Sequence, residues 1–434
     1  MQMTELIAKK RHGEPLSADE ISFLIKGLGD ASVTDAQMGA FLETLAFKDS
    51  TDLTELTDFT MGLAYSGGVY DLSAIQGIKV DKHATGGLGD KTSLVLLPLV
   101  ASLGIPVAKL SQRSFNHSGG TLDKLESIPG FRVNLTPDEF VQAVKEIGLA
   151  IAAPVDELAP AEQKLRRLRH ETDTMAIPSL VACSTLSQNI ATGADAVILD
   201  IKTGSGHDLL NEEQAEQLAH LMVNVGNEVG RRTLAVVSDM SQPLGHAIGN
   251  GVEVVEAIAT LKNGGPTDLR KLVLELGTHM AQLGGYGANA EDTRAALIGN
   301  LATGKALAKF RDLIVSQGGD PDVIDHPEKL TASAYTNDVR ASSSGYVSTI
   351  DVDQMGHAIQ TLNAGRKNAE QKLDLAAGIV LRKKIGDSVE AGEVLATVYS
   401  SDADSVAAQE EVRGAIELGE MRKDTKLIHQ VVAE

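Results

Sequence analysis

The chain has 434 residues, 43% of them hydrophobic, which supports packed cores and argues against disorder. Lys plus Arg number 39 and Asp plus Glu 59, a formal charge of −20; this excludes a general nucleic-acid binder and an anionic membrane surface, both of which demand net cation. It leaves small phosphate ligands open, because local backbone N–H groups and a few cations hold those whatever the global charge.

The length suggests about two to three domains. The single cysteine, Cys183, rules out an internal disulfide or a cysteine metal cluster. Residues 1–6 lack a basic segment followed by an apolar one, so no signal peptide is expected. The apolar stretch 94–107 is broken by Pro98, Ser102, Gly104 and Pro106 and is too short to span a bilayer. A cytoplasmic location and no membrane contact are the expectations.

The first ~65 residues read as helices. Ser17 with Glu20, and Thr34 with Gln37, have capping-box spacing, a hydroxyl at the N-cap and a carboxylate or amide three residues on. Ile21, Leu24, Ile25 and Leu28 follow with helical spacing. From Gly77, short apolar strands alternate with helices: 78–80, 105–110, 150–152, 196–201 and 234–237. Thr136 caps an intervening helix, with Pro137 at its first position. Such alternation implies a mostly parallel sheet covered by helices. Residues 318–321, Gly-Gly-Asp-Pro, are loop chemistry and a plausible boundary. Beyond them 345–350 and 380–384 read as strands. Residues 385–394 are similar to a lipoyl-type hairpin but carry no lysine at its tip, so they read as scaffold.

Two glycine-rich segments each join a strand to a helix, at 80–93 and 109–124. A strand, a glycine loop and a helix N-terminus together offer unpaired N–H groups and the positive end of a helix dipole to an anion. Hydroxyls (Thr85, Thr92, Ser93, Ser111, Ser118, Thr121) and cations (Lys82, Lys91, Arg113) add donors and charge. One such loop is often only structural; two in succession point to phosphate. Neither matches the P-loop or dinucleotide fingerprints. Taken singly, several residues have blander readings. Isolated histidines are more often structural, as His246, His279 and His357 are read here, but His83 lies inside a phosphate loop. The run Lys164, Arg166, Arg167, Arg169 suits a solvated helix face. His117 can line the second loop or cap it. Cys183 reads as a packed side chain, and Glu212-Glu213 and Glu410-Glu411 as solvated faces.

The phrase Lys82-His-Ala-Thr-Gly-Gly-Leu-Gly-Asp-Lys-Thr-Ser93, and then Gly119-Gly-Thr-Leu-Asp-Lys-Leu-Glu-Ser-Ile128, resemble the pyrimidine-nucleoside/thymidine phosphorylase family. Arg169, Ile177-Pro178, Ser184, Asp200 to Gly206, Ser238 to Gly245, Asn250 to Glu256, Gly365-Arg366 and Gly378 to Leu381 fit in order and spacing, so the resemblance covers nearly the whole chain. It implies an α/β fold in three parts: a helical domain from 1–66 plus about 158–192, an α/β domain with a mostly parallel sheet from 67–157 plus 193–335, and a β-rich C-terminal subdomain from 336–434. It implies a homodimer joined through the helical domain, and an active site in the cleft between helical and α/β domains. The implied reaction is a pentosyl transfer: phosphate splits a pyrimidine nucleoside into base and (deoxy)ribose 1-phosphate. No cofactor is implied, inorganic phosphate being a substrate. Lys82, Ser93, Ser111 and Thr121 match phosphate-binding positions, with Thr85 and Arg113 as further candidates. His83 and Arg169 match positions that meet the base and the transition state, and Ser184 one that grips the base edge.

The departures from the family pattern cluster in the pocket. The base-binding lysine is Gln188, a tyrosine is Arg166, and Ala-Phe-Met has become His207-Asp208-Leu209. Ala84 replaces a serine, and Ser111-Gln112-Arg113-Ser114 replaces Ser-Gly-Arg-Gly. Gln188 keeps a hydrogen bond but brings no charge; Arg166 and Asp208 can pair with each other or read a different base or sugar. Altered base specificity is the expectation from these changes. Lys91 stands where some members have a threonine and bind potassium, with help from residues matching Leu244, Ala247 and Glu256; an ammonium there can replace the ion, so no metal is expected. Two other functions remain open. One is an anthranilate-type phosphoribosyltransferase, similar in fold and phosphate loops; the other is a non-catalytic nucleoside-binding paralogue.

Overall fold

The computed structural model describes residues 1–50, 52–114, 119–205, 211–332, 335–368 and 371–433. Four helices open the chain: α1 (Met3–Arg11), α2 (Ala18–Asp30), α3 (Asp35–Phe47) and α4 (Leu53–Ala64). The caps lie where the spacing places them. The Ser17 hydroxyl accepts the Glu20 N–H at 3.4 Å while Glu20 accepts the Ser17 N–H at 2.7 Å. Thr34 and Gln37 do the same at 3.2 and 3.0 Å. Each cap satisfies helix-end donors that would otherwise lack partners.

A first alternating run follows: β1 (Val80–Ala84), α5 (Thr92–Ala101), β2 (Val107–Leu110), α6 (Thr121–Glu126), α7 (Pro137–Ile147) and β3 (Leu149–Ala152). β1 runs further than the expected 78–80, so Lys82 and His83 stand on the strand and not in the glycine loop. α5 is buried along its whole length, as a helix apolar on every side must be. Then come α8 (Pro160–Glu171) and α9 (Pro178–Ala191), which pack on α2, α3 and α4 and share their core. The chain returns through β4 (Ala196–Thr203), α10 (Glu212–Glu228), β5 (Arg232–Asp239), β6 (Ala247–Gly249), α11 (Gly251–Leu261), α12 (Thr267–Leu283), α13 (Ala290–Ala302) and α14 (Lys305–Ser316). Last come β7 (Tyr335–Arg340), β8 (Gly345–Ile350), α15 (Val352–Thr361), β9 (Gly378–Leu381), β10 (Ser388–Val389), β11 (Val394–Ser400), α16 (Val406–Gly414), β12 (Ile416–Gly419) and β13 (Ile428–Val432).

The main sheet has the order β13-β5-β4-β1-β2-β3. Its four pairings from β5 to β3 are parallel, with Val80 opposite Val107 and Ala196, and β13 adds antiparallel to β5 at the edge. One core fills the space between this sheet and α5, α11, α12 and α14; another joins the helical bundle to the opposite face through α10. The small sheets β10-β8-β12 and β6-β9-β11-β7 surround a third core. Two strands cross the expected boundaries. β13 lies in the 336–434 segment yet completes the main sheet, and β6 lies before 335 yet pairs with β9. Residues 388–389 pair with β8 and not as a hairpin with β11. Among the described residues no helix is long and apolar enough to cross a membrane.

Under the helical bundle a buried ion pair ties α1 to α4. Lys10 Nζ lies 2.9 Å from Glu55, which also accepts the Leu16 N–H at 3.0 Å and the Ser50 hydroxyl. Removing one partner leaves a buried charge uncompensated. Lys10→Met is expected to destabilise the protein by about 3 kcal/mol or more, read as a lower urea midpoint by circular dichroism.

Candidate active site

The parallel strands carry their chemistry at their C-terminal ends, where ligands meet open α/β sheets. Lys82, at the end of β1, is buried, with Nζ 3.5 Å from Asp90 and 3.6 Å from Asp200. Lys202, on β4, is held much more tightly: 2.7 Å to Asp200 and 3.1 Å to Ser238 Oγ. Lys124, on α6, pairs with Glu253 at 2.8 Å and donates to the Asp90 carbonyl at 2.7 Å. Burial works to raise the Asp90 carboxyl, but Lys82, Lys202 and Lys124 around it hold it well below the usual range. Ionised Asp90 caps the Thr92 N–H at 3.0 Å, which aims the N-terminus of α5, with Ser93 in its first turn, at the strand ends. Of these partners, Asp90, Lys124, Asp200, Lys202 and Glu253 were not named as site candidates from the sequence, although each lies in a segment that fits the family pattern.

The second glycine segment packs against the first site. Ser111 follows β2, and Thr121 is the first residue of α6. Asp123 accepts the N–H groups of Ser114 at 3.0 Å and Gly120 at 2.8 Å, and pairs with Arg366 at 2.6 Å. Glycine is required at both turn positions: a Cβ on Gly119 would lie 1.9 Å from Asn250 Oδ1, and one on Gly120 2.5 Å from the Gln112 carbonyl. Two expected phosphate contacts are otherwise engaged. Thr85 Oγ1 accepts the Lys202 N–H at 2.9 Å. Arg113 is held by Glu126 at 3.0 and 2.5 Å, its side chain 39% exposed, and braces the loop to α6. His117 and Ser118 lie outside the described residues.

Across from the strand ends stand α8 and α9. Asn189 on α9 reaches Asp81 on β1 at 3.5 Å, and Asp81 pairs with Lys109 on β2 at 3.3 Å. Arg169 is buried, with its N–H groups on the carbonyls of Thr174, Leu180 and Met175 at 3.4, 3.1 and 2.7 Å. Burial brings its pKa down to about 10, with Arg166 adding to the effect and Glu162 opposing it, so it stays cationic at neutral pH. Arg166 has no hydrogen-bonded acceptor among the described residues. Burial lowers its pKa and Glu162 opposes that, while its charge acts on His83. Ser184 and Gln188 share one face of α9 and both donate to Glu162 Oε1, Gln188 at 3.0 Å. Glu162 is the residue the sequence reading missed. Its signal was the spacing 162, 166, 169, which puts it on the same face of α8 as both arginines. Asp208 and His207 lie outside the described residues. Cys183 is fully buried and its thiol is pushed up to about 12 by that burial, as suits a packed side chain.

Lys91 is 1% exposed, and its Nζ lies among oxygens: the Leu244 carbonyl at 2.6 Å, the Ala247 carbonyl at 2.9 Å and Glu256 at 2.7 Å. Burial works against the ammonium, but Glu256 and Glu253 overcome it and raise its pKa. Among the described residues no cluster of three or more His, Cys, Asp or Glu side chains could hold a metal ion.

Residues 4–67 match the helical bundle domain model of a glycosyl transferase family, 76–307 its a/b domain model, and 346–419 the pyrimidine nucleoside phosphorylase C-terminal domain model. The chain is 48% identical to the pyrimidine-nucleoside phosphorylase of Bacillus subtilis, with 100% of both chains covered. It is 48% identical to that of Geobacillus stearothermophilus over 92% of each, and 46% identical to that of Staphylococcus aureus over 100% of each. The chain belongs to the pyrimidine-nucleoside phosphorylase family. Its fold is also similar to that of anthranilate phosphoribosyltransferase from Thermus thermophilus, at TM-score 0.59 and 18% identity over 72% of this chain and 99% of that one. That likeness concerns the fold alone. Full-length similarity to family members gives no support to a redirected base specificity, a phosphoribosyltransferase or a non-catalytic paralogue.

His83, beneath the cleft, is held well below its ordinary 6.5 by burial first and then by Lys109, Arg166 and Lys82. It is therefore neutral at pH 7. Unfolded, it takes up a proton near pH 6.5; folded, it resists, so stability is full above that value and falls as pH drops below it. Thermal melts of wild type and His83→Asn between pH 8 and pH 5 are expected to show wild type losing more stability than the variant below about pH 6.5.

Proposed function

We propose that this chain catalyses reversible phosphorolysis of a pyrimidine (deoxy)nucleoside, with phosphate seated at the strand ends of the α/β domain and the base between α8 and α9. The observation that supports the assignment is that α8 and α9 meet the strand ends: Asn189 reaches Asp81 at 3.5 Å, and Arg166 and Lys82 both act on His83. On one side Lys82, Ser93, Ser111 and Thr121 gather around two glycine loops. On the other stand Arg166, Arg169, Ser184 and Gln188. A phosphate oxygen attacks C1′ as the bond from C1′ to the base nitrogen breaks. The base leaves with negative charge spread over its ring oxygens. Cations and N–H donors fixed at those oxygens stabilise that charge as it develops, without reorganising at the moment of reaction.

Lys82 is the cation we assign to phosphate, because its two carboxylates lie at 3.5 and 3.6 Å while those of Lys202 and Lys124 lie at 2.7 and 2.8 Å. Arg113 is left out because Glu126 holds it. His83, being neutral, donates an N–H to a base oxygen. Arg166 supplies the charge that Gln188 lacks, since most Arg169 donors are spent on backbone carbonyls. We further propose that the Lys91 ammonium does a structural cation's work, so that neither potassium nor a cofactor is required. A cytoplasmic homodimer is also part of the proposal. Phe47, 82% exposed at the end of α3, favours helical-domain contact.

Purified protein is incubated with purine and pyrimidine nucleosides, with and without phosphate, and the products are separated chromatographically. Phosphate-dependent release of uracil or thymine is expected; release of neither would overturn the reading. In the same assay Arg166→Ala is expected to lower kcat/KM roughly ten- to a hundredfold, the value of one charged hydrogen bond. Exchange of sodium for potassium is expected to leave the wild-type rate unchanged.

A further inference from the structure

Asp123 takes no part in the proposed chemistry, yet it sets the shape of the second glycine segment. It stands on α6 and is 1% exposed. Its Oδ2 accepts the N–H groups of Ser114 at 3.0 Å and Gly120 at 2.8 Å. One oxygen thus draws two limbs of the segment together. They pack closely: a Cβ on Gly120 would lie 2.5 Å from the Gln112 carbonyl oxygen and 2.7 Å from the Ser114 nitrogen. Ser111 comes just before the first held point and Thr121 just after the second, so the phosphate candidates of this segment take their positions from the staple.

The other carboxylate oxygen belongs to the C-terminal subdomain. Arg366 Nη1 donates to Asp123 Oδ1 at 2.6 Å and to the Ser114 carbonyl at 3.3 Å. Ser114 is therefore held at both of its backbone groups. The side chains of Arg366 and Asp123 are 11% and 1% exposed, and among the described residues Asp123 pairs with no other cation. Arg113, close by in sequence, is taken by Glu126. Arg366 is itself anchored. Gln360 on α15 donates to its carbonyl at 2.7 Å, and the Ala364 carbonyl accepts the side-chain amide of buried Asn250 at 2.8 Å. Asn250 also backs the glycine segment, since a Cβ on Gly119 would lie 1.9 Å from its Oδ1.

We propose, granted the seating of phosphate at Ser111 and Thr121, that Arg366 is a positioning residue for phosphate: through Asp123 it holds the second glycine segment in its anion-binding shape, so that the C-terminal subdomain sets the affinity for phosphate and not that for the nucleoside. The physical basis is preorganisation. Backbone donors and hydroxyls already in place bind an oxyanion without first giving up conformational freedom. With the link cut, a buried carboxylate loses its cation and the segment is held by Asp123 alone. Phosphate must then order what the subdomain ordered before. The base stands across the cleft on α8 and α9, and its binding is untouched.

The test uses the full chain with Asp123→Asn, Arg366→Met and both together. In D123N the amide oxygen still accepts the two loop N–H groups while its N–H₂ faces the Arg366 guanidinium, so only the link is cut. Each single variant is expected to raise KM for phosphate about tenfold or more, the scale of one charged hydrogen bond, with KM for uridine unchanged. The double variant is expected to lose no more than the worse single one, because both substitutions break the same link. A phosphate KM that stays at the wild-type value in D123N, equal rises in the two KM values, or losses that multiply in the double variant would each overturn the proposal. R366M strands a buried carboxylate; if it fails to fold, D123N and the double variant, which lack that carboxylate, decide. Calorimetric titration with inorganic phosphate gives the same comparison without turnover. Phosphate binding that weakens in the variants, with no phosphorolysis by any of the proteins, overturns the functional reading and supports this one; phosphorolysis with unmoved phosphate binding overturns this one alone.

Discussion

Buried lysines locked to buried carboxylates hold this architecture together at the site. Lys82, Lys91, Lys124 and Lys202 are each no more than 2% exposed, and taking such charges out of water costs several kcal/mol per ion even after relaxation. They are retained because each meets an acid, Lys202 on its own strand at Asp200 and the other three on another element: Asp200 on β4, Glu253 and Glu256 on α11, and Asp90 before α5. The pairing joins β1, β4, α5, α6 and α11 where the strands end. It also ranks the lysines. Those at 2.7 or 2.8 Å are fully committed, and Lys82, at 3.5 and 3.6 Å, keeps the loosest hold on its partners. Any further anion there would compete only with long contacts.

The helical side uses the same device with the signs reversed. A buried acid, Glu162, faces two arginines and takes hydrogen bonds from Ser184 and Gln188 of α9. Arg169 is fixed to the carbonyls around the α8–α9 connection, so it rigidifies the wall that Arg166 and Ser184 stand on. The C-terminal segment closes the frame from outside. Arg366 reaches Asp123 and the Ser114 carbonyl at 2.6 and 3.3 Å, clamping the second glycine loop, and β13 completes the main sheet. A subdomain distant in sequence thus bears on that loop.

Much of this was legible in the sequence, for local reasons. The caps at Ser17, Thr34 and Thr136 act within four residues, and the alternation of strands and helices is a short-range pattern. Lys82, Ser93 and Thr121 could be named as phosphate candidates because glycine loops beside cations have few uses. What escaped notice depends on long-range pairing. Asp200 and Glu253 look like any acid in a strand or helix until the fold brings lysines from 118 or 129 positions away, as the numbering of Lys82 and Lys124 gives. Glu162 precedes a run of cations that reads as a solvated face, and only packing against α9 shows that it is buried. β13 was not foreseen because nothing in Ile428–Val432 says which edge it will pair with. The extension of β1 through His83 was missed because polar residues at a strand end read as loop.

A crystal structure with inorganic phosphate and uracil bound tests the central claim most directly, that two opposed charged walls divide the substrate between them. The expected result is phosphate within hydrogen-bond distance of Lys82, Ser93, Ser111 and Thr121, with uracil between α8 and α9 and a carbonyl oxygen directed to Arg166. Phosphate elsewhere with Lys82 still bound to Asp90 and Asp200, or uracil away from α8 and α9, would contradict it.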